Sequence, residues 1–286
     1  MLNLASLCFP DREKSCFYCC PPIRDPEADP LDNIEERQRQ YRENRRRLAE
    51  NLATAKEIPG HSCWGLGFLD DQEKQIGCLL HPLQNDGREL RHLTGYRFKC
   101  ANALCREAEV FAGLTEETKK RCLALCRGMD SFHYSSRTNP LMRLLGWERE
   151  MVEMVAAEMP PAADAGALRR EIFLEKYGFL WQELDFRLDG WLATEIADRG
   201  GLDFLRRHRG RAIELRRRVI DRLKEPGFDK TADPAELKPS HALAIPLSLS
   251  RLLKFGAGLW ELPAGCEEKI LTICETELHR FFNPPN

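Results

Sequence analysis

The sequence predicts a mainly α protein, with a small irregular α+β metal-binding N-terminal region and a helical C-terminal bundle. Three observations carry that expectation. Cys16, Cys19, Cys20, Cys63, Cys78, His81, Cys100 and Cys105 all fall within the first 105 residues. The same stretch is broken by Pro, Gly and Asp and offers one short hairpin. From Thr115 onward, apolar residues recur at helical spacing through long runs. The change of character divides the chain into a cysteine-cluster metal-binding region at 1–112 and a helical domain at 113–286.

Residues 1–30 carry Pro21-Pro22, Pro26 and Pro30 and cannot form a regular helix. Little apolar material is present there, so metal ligation is the expected source of order. From Asp32 to Glu57 the chain is charged and free of Gly and Pro. Ile34, Tyr41, Leu48, Leu52 and Ala55 give a thin apolar stripe, which predicts a solvated amphipathic helix ended by Pro59-Gly60. Its Arg45-Arg46-Arg47 run alternates with Glu43 and Glu50 and reads as a solvated face. Next, Leu66-Gly67-Phe68 and Gln75–His81 form two short strands around the turn Asp70-Asp71-Gln72-Glu73. Asn85-Asp86-Gly87 marks a second turn.

Thr115 caps a helix that carries Cys122, Leu123, Leu125 and Cys126 on its apolar face. Further helices are expected over Pro140–Glu158, Ala165–Asp198, Leu202–Lys224 and Ala264–Phe282. Gly178 bends or splits the second of these. Leu243–Trp260 is apolar but interrupted by Pro246 and Gly256.

With 286 residues, 43% hydrophobic and 31% charged, the chain is long enough to bury a core. A formal charge of -2 supplies no global field toward nucleic acid or a membrane surface. No stretch approaches the roughly 20 apolar residues of a membrane span. The first residues lack a basic segment and a long apolar run, so the start reads as cytoplasmic. Cytosolic thiols stay reduced, and twelve cysteines then point to metal rather than to a disulfide framework.

The spacings support that reading. Two soft ligands two residues apart curl around one ion, as in Cys16-x2-Cys19-Cys20 and Cys78-x2-His81. Cys100-x4-Cys105 is a looser, moderately specific pair, for which two core thiols at near-helical spacing are the less favoured alternative. Vicinal cysteines diverge, so one of Cys19 and Cys20 serves a second metal, bridges a cluster or stays a thiol. Cys8 lies near the cluster and is left open, whereas Cys122 and Cys126 favour core packing. Cys266 and Cys274 read as structural. The metal set expected from these residues is Cys16, Cys19, Cys20, Cys63, Cys78, Cys100 and Cys105.

The order Cys16-x2-Cys19-Cys20, Cys63, Phe68-Leu69, Cys78-Leu79-Leu80-His81-Pro82 and Cys100 resembles the YkgJ-like cysteine-cluster proteins, which are described as zinc- or iron-chelating. The resemblance covers about residues 8–105. It departs from the family's Cys-x2-Cys-x2-Cys-Cys pattern by placing Glu13 where the first cysteine belongs. That leaves Cys8 as a substitute, Glu13 as a carboxylate ligand, or the ligand missing. Residues 84–97 lengthen the gap between Cys78 and Cys100. Flagellin lysine N-methylases carry a similar cluster before a helical remainder, and no methylase residue carries over.

Zinc and an iron–sulfur cluster both accept four cysteines, and the sequence leaves the choice undecided. Three functional classes follow: a metal-binding protein, an iron–sulfur enzyme of redox or methylase type, and a binder of nucleic acid or another anionic partner through the basic helix Arg206–Arg222. Asp130, His133, Tyr134 and Arg137 form the only local polar group suggestive of catalysis outside the cysteines. A turn with a satisfied histidine is the favoured reading there. Phosphate loops, dinucleotide fingerprints, nucleophile elbows and His-Glu-x-x-His helices are absent. A metal ion is therefore the expected partner, with nucleic acid disfavoured, a protein partner open and no membrane contact expected.

Overall fold

The computed structural model describes residues 6–20, 29–50, 63–95, 100, 105–161, 170–225, 237–263 and 265–284. The expectations for Pro21-Pro22, Pro26, the helix beyond Glu50, its Pro59-Gly60 end and the 226–236 loop lie outside these residues. The chain is mainly helical and divides into two compact units. One comprises Met1–Gly146 with Pro160–Leu168, the other Trp147–Met159 with Arg169–Asn286. The cysteine-bearing unit thus runs past residue 112 to Gly146.

In the first unit, α1 (Ile34–Glu50) lies on a hairpin of β1 (Leu66–Phe68) and β2 (Ile76–Cys78). The strands are antiparallel, with Leu66 opposite Cys78 and Phe68 opposite Ile76. Asp70 closes their turn, its carboxylate accepting from the amides of Gln72, Lys74 and Gln75. Gly67 lets α1 come close, because a Cβ there would stand 3.0 Å from the Tyr41 carbonyl and 2.6 Å from Leu79. Asn44 of α1 donates to the Leu66 carbonyl at 2.8 Å. The Arg45–Arg47 run is a paired outer face, with Arg45 on Asp71, Arg46 on Glu43 and Glu50, and Arg47 on Glu43.

Four short helices follow: α2 (Arg106–Gly113), α3 (Glu116–Ala124), α4 (Ser131–Ser135) and α5 (Pro140–Leu145). Thr115 caps α3 by accepting from the Thr118 amide, and Asp130 caps α4 by accepting from that of His133. Helix α4 also helps order the N-terminal loop. Phe17 joins Tyr41, Leu66, Phe68, Ile76 and Phe132 in one buried cluster, with edge-on ring contacts to Tyr41 and Phe132. Ser15 Oγ accepts from the Ile76 amide at 2.7 Å, and the Ser15 and Phe17 amides donate to Ser131 and Ser135 hydroxyls. This corrects the expectation that metal alone orders the loop. The described part of it is held by aromatic packing and serine hydroxyls.

The second unit contains α6 (Arg149–Ala157), α7 (Arg170–Tyr177), α8 (Phe179–Gln182), α9 (Gly190–Gly200), α10 (Leu202–Arg207), α11 (Arg209–Lys224), α12 (Leu247–Arg251) and α13 (Glu267–Phe282). A π-helical turn over Leu252–Ala257 continues α12. The core includes Leu192, Ile196, Leu205, Leu215, Val219, Leu223, Leu253, Ile270 and Leu278.

Three expected long helices are broken. Pro140–Glu158 stops at Gly146 and resumes at Arg149. Gly178 splits the next one as expected, since a Cβ there would lie 2.4 Å from the Leu174 carbonyl. The Leu202–Lys224 run breaks at His208, whose ring packs on Phe204 with centroids 4.1 Å apart. A second antiparallel strand pair joins β3 (Leu237–Pro239) to β4 (Glu261–Pro263) across α12 and its π-helical turn, and was not expected, because both strands are short and each ends in proline.

Candidate metal centre

Two backbone devices bring the cysteines of the first unit together. At the hairpin, the Leu66 amide donates to the Cys63 carbonyl at 3.0 Å, so Cys63 turns into β1 directly beside the strand end that carries Cys78. The His81 amide donates to the Cys78 carbonyl at 3.1 Å, which closes a tight turn between the two residues. In the N-terminal loop, the Cys16 amide donates to the Cys8 carbonyl at 2.8 Å, and the Cys20 amide to that of Phe17 at 2.9 Å.

These turns converge on one cavity of about 270 Å³, lined by Cys8, Cys16, Cys19, Cys20, Cys63, Cys78, His81 and Cys100. The lining is largely apolar otherwise, with Phe9, Leu66, Leu69 and Leu83, and Arg91 contributes a cation. Arg91 is held by Glu89 and donates to the Cys100 carbonyl. Cys105 is absent from the lining and sits at the N-cap of α2. Of the seven expected ligands, six therefore face one space. Cys8, left open by sequence reasoning, faces it too; its nearness to the cluster and the missing first cysteine of the family pattern were its signals.

Other candidates are separated from this group. Glu13 pairs with Lys74 at 2.6 Å and does not line the cavity. His81 accepts the Leu83 amide at Nδ1, 3.2 Å away, so the proton of its neutral ring belongs on Nε2. Desolvation, followed by Arg91, lowers its pKa. In this rotamer His81 caps a turn and presents a donor rather than a ligand. Cys122 and Cys126 are fully buried, with Cys126 Sγ donating to Asn139 Oδ1. Asp130 and His133 engage each other at 2.9 Å, and the Tyr134 hydroxyl donates to the Leu7 carbonyl. That polar group is a helix cap and a loop anchor.

The electrostatics of the cavity oppose free thiolates. Burial pushes the Cys78 thiol up to about 11; the Leu80 amide opposes it next most strongly, and smaller raises from Cys63 and Cys100 outrank the lowering by Arg91. Burial also holds Cys16 well above the ordinary thiol range, and for Cys20 the hydrogen bond that its thiol makes to Cys19 leads, followed by burial. Cys105 is pushed up to about 12, again mainly by burial. Protonated thiols have no mutual attraction, and among the described residues no group of three His, Cys, Asp or Glu side chains is drawn in closely enough to hold an ion. A cation would reverse the balance, since its charge favours the thiolates that crowding disfavours.

The basic helix of the second unit is largely neutralised. Arg216 pairs with buried Asp189 at 2.7 Å, Arg218 with buried Glu277 at 3.1 Å, and Arg209 with Glu183. Arg211 stacks on Phe281 with its guanidinium carbon 4.8 Å from the ring centre. Among the described residues no helix is long and apolar enough to cross a membrane. No family model matches this chain, and neither a curated protein nor a solved structure matches it.

Proposed function

We propose that the chain is a metal-binding protein whose cysteine cluster chelates zinc or iron in the N-terminal unit. The observation that carries this reading is the convergence of seven cysteines, drawn from four separated stretches of sequence, on one cavity. Packing alone gives no reason for so many thiols to surround an open space instead of filling it. Cytoplasmic residence belongs with it, because reduced thiols are the form that takes up metal.

An iron–sulfur enzyme is the second reading, favoured by the room in the cavity and by its polar members. A volume of about 270 Å³ exceeds what one ion needs, and Arg91 and His81 offer a cation and a donor beside the thiols. Redox or methyl-transfer chemistry of the kind associated with cysteine-cluster methylases would use such a space. The pairing within the basic helix disfavours the nucleic-acid reading.

Elemental analysis and an optical spectrum of protein purified without oxygen test the proposal. Zinc or iron bound stoichiometrically supports it, and iron with matching sulfide and visible absorbance selects the enzymatic form. Folded protein that carries no metal and takes up neither zinc nor iron with sulfide would falsify it.

A further inference from the structure

Helix α11 packs along α13, and a cavity of about 350 Å³ opens beside them, lined by Arg211, Arg218, Arg280, Glu214, Glu277 and Pro284. All of these residues belong to the second unit. Glu277 is 2% exposed, and both of its carboxylate oxygens are taken. Arg280 Nη1 donates to Oε1 at 2.6 Å and Arg218 Nε to Oε2 at 3.1 Å.

A buried carboxylate needs a counter-charge. One arginine supplies it elsewhere in this unit, since among the described residues Arg216 is the only cation paired with buried Asp189. Glu277 has two, and a third guanidinium stands beside them. Arg211 Nη2 donates to the Phe281 carbonyl at 2.6 Å, and its guanidinium carbon lies 4.8 Å from the Phe281 ring centre. Glu214 is exposed and, among the described residues, bonded to none of the three. Three cations against two carboxylates leave the cavity positive.

Each guanidinium spends one nitrogen on a protein acceptor, and among the described residues its other nitrogens have none. The arginines are also fixed before any ligand arrives, Arg211 by a carbonyl and a ring face, Arg218 and Arg280 by one shared carboxylate. A planar carboxylate is matched by a single guanidinium fork. Three forks around one space suit a tetrahedral oxyanion, whose oxygens accept from several directions. Room remains beside such a group, and Pro284 offers an apolar wall to whatever carries it.

We infer that this cavity binds a phosphoryl group through Arg211, Arg218 and Arg280, with Glu277 positioning the last two. The inference uses no cysteine and is independent of the metal-binding reading.

Isothermal titration of the purified full chain with inorganic phosphate tests it, at neutral pH and with ionic strength held constant by sodium chloride. Saturable binding is expected. Arg211→Gln leaves both Glu277 pairs in place and should weaken binding about tenfold, the loss of one charge-assisted contact, and Arg280→Gln should do the same. Arg217→Gln changes an exposed residue of the same helix outside the cavity and should leave the affinity unaltered. Phenyl phosphate bound more tightly than inorganic phosphate supports the site and makes its ligand an organic phosphate ester; the reverse order supports the site and makes its ligand the free ion. Four results would each overturn the inference: no saturable binding, binding that neither cavity variant weakens, equal weakening by Arg217→Gln, or acetate bound as tightly as phosphate. The unmodified chain's preference for phosphate over acetate decides the matter even if a variant fails to fold.

Discussion

The two units solve the problem of burial differently. The second closes over aliphatic side chains, with Leu192, Leu205, Leu215, Val219, Leu253 and Ile270 essentially inaccessible, and pairs its buried carboxylates with arginines. The first has a small aromatic cluster, a three-residue hairpin and a loop fastened by serine hydroxyls, and it keeps an open space among its cysteines. A unit filled by leucine is fixed by its own core. A unit built around a cavity depends on whatever enters that cavity, so the two should respond oppositely to metal and to core truncation.

The largest effect is expected from removing metal. If ions bind about a thousandfold more tightly than their working concentration, loading adds ~4 kcal/mol. Chelation should then lower the melting temperature of the first unit by roughly 10 °C. The second unit should keep its helical circular dichroism under the same treatment. Differential scanning calorimetry with and without chelator resolves the two transitions, and an equal shift in both would erase the distinction. Leu215→Ala reverses the test. It should cost about 3 kcal/mol as the buried contacts of α11 are lost, with metal content unchanged.

Ser15→Ala sharpens the comparison within the first unit. The hydroxyl accepts from one buried amide and donates to the carbonyl of the same residue, Ile76. Its loss should cost about 2 kcal/mol. Because Cys16 and Cys8 share that loop, metal affinity should fall with stability, which competition with a chromophoric chelator would measure. Unchanged affinity would separate the serine fastening from the cysteine arrangement.

Much of this division was legible from residue types and spacing. Gly67, the Asp70-to-Glu73 turn and the alternation into Cys78 specified the hairpin because turn chemistry is local. Thr115 was readable as a cap for the same reason. Helix breaks at Gly146 and His208 were hidden, since periodicity continues across them and only tertiary packing of Trp147 and Phe204 interrupts the chain. The serine fastening was hidden more deeply. Ser15 meets Ser131 across 116 residues, and no periodic pattern marks a hydroxyl that will cap a distant amide. For the candidate site, chelating spacings announced five of the cavity's cysteines, and Cys63 was read from its place in the order of the cluster. Cys8 stands in no chelating spacing, so its nearness to the cluster left it open, and the backbone pairing with Cys16 is what places it at the cavity.

The smallest effect vanishes at neutral pH and concerns a thiol that metal does not reach. Cys274 is buried in α13, and desolvation, reinforced by Glu275, raises its pKa from an ordinary 9.0 to about 12. The folded state therefore holds the proton more firmly than the unfolded chain does. The resulting stability is fully present below pH 9, where both states are protonated, and is lost as pH rises toward 12. Crowded cavity thiols such as Cys78 behave alike in the metal-free protein, but a bound cation removes their protons in advance and abolishes their share of the alkaline loss. The loss at Cys274 should persist in the metal-loaded protein. Cys274→Ala should flatten the remaining slope of stability against pH above 9, measured by denaturant unfolding, while Cys266→Ala should change it less because Cys266 is only partly covered. If metal loading alone flattened the whole slope, the buried thiol of the helical unit would contribute nothing, and the contrast between a cavity that needs a cation and a core that excludes one would narrow accordingly.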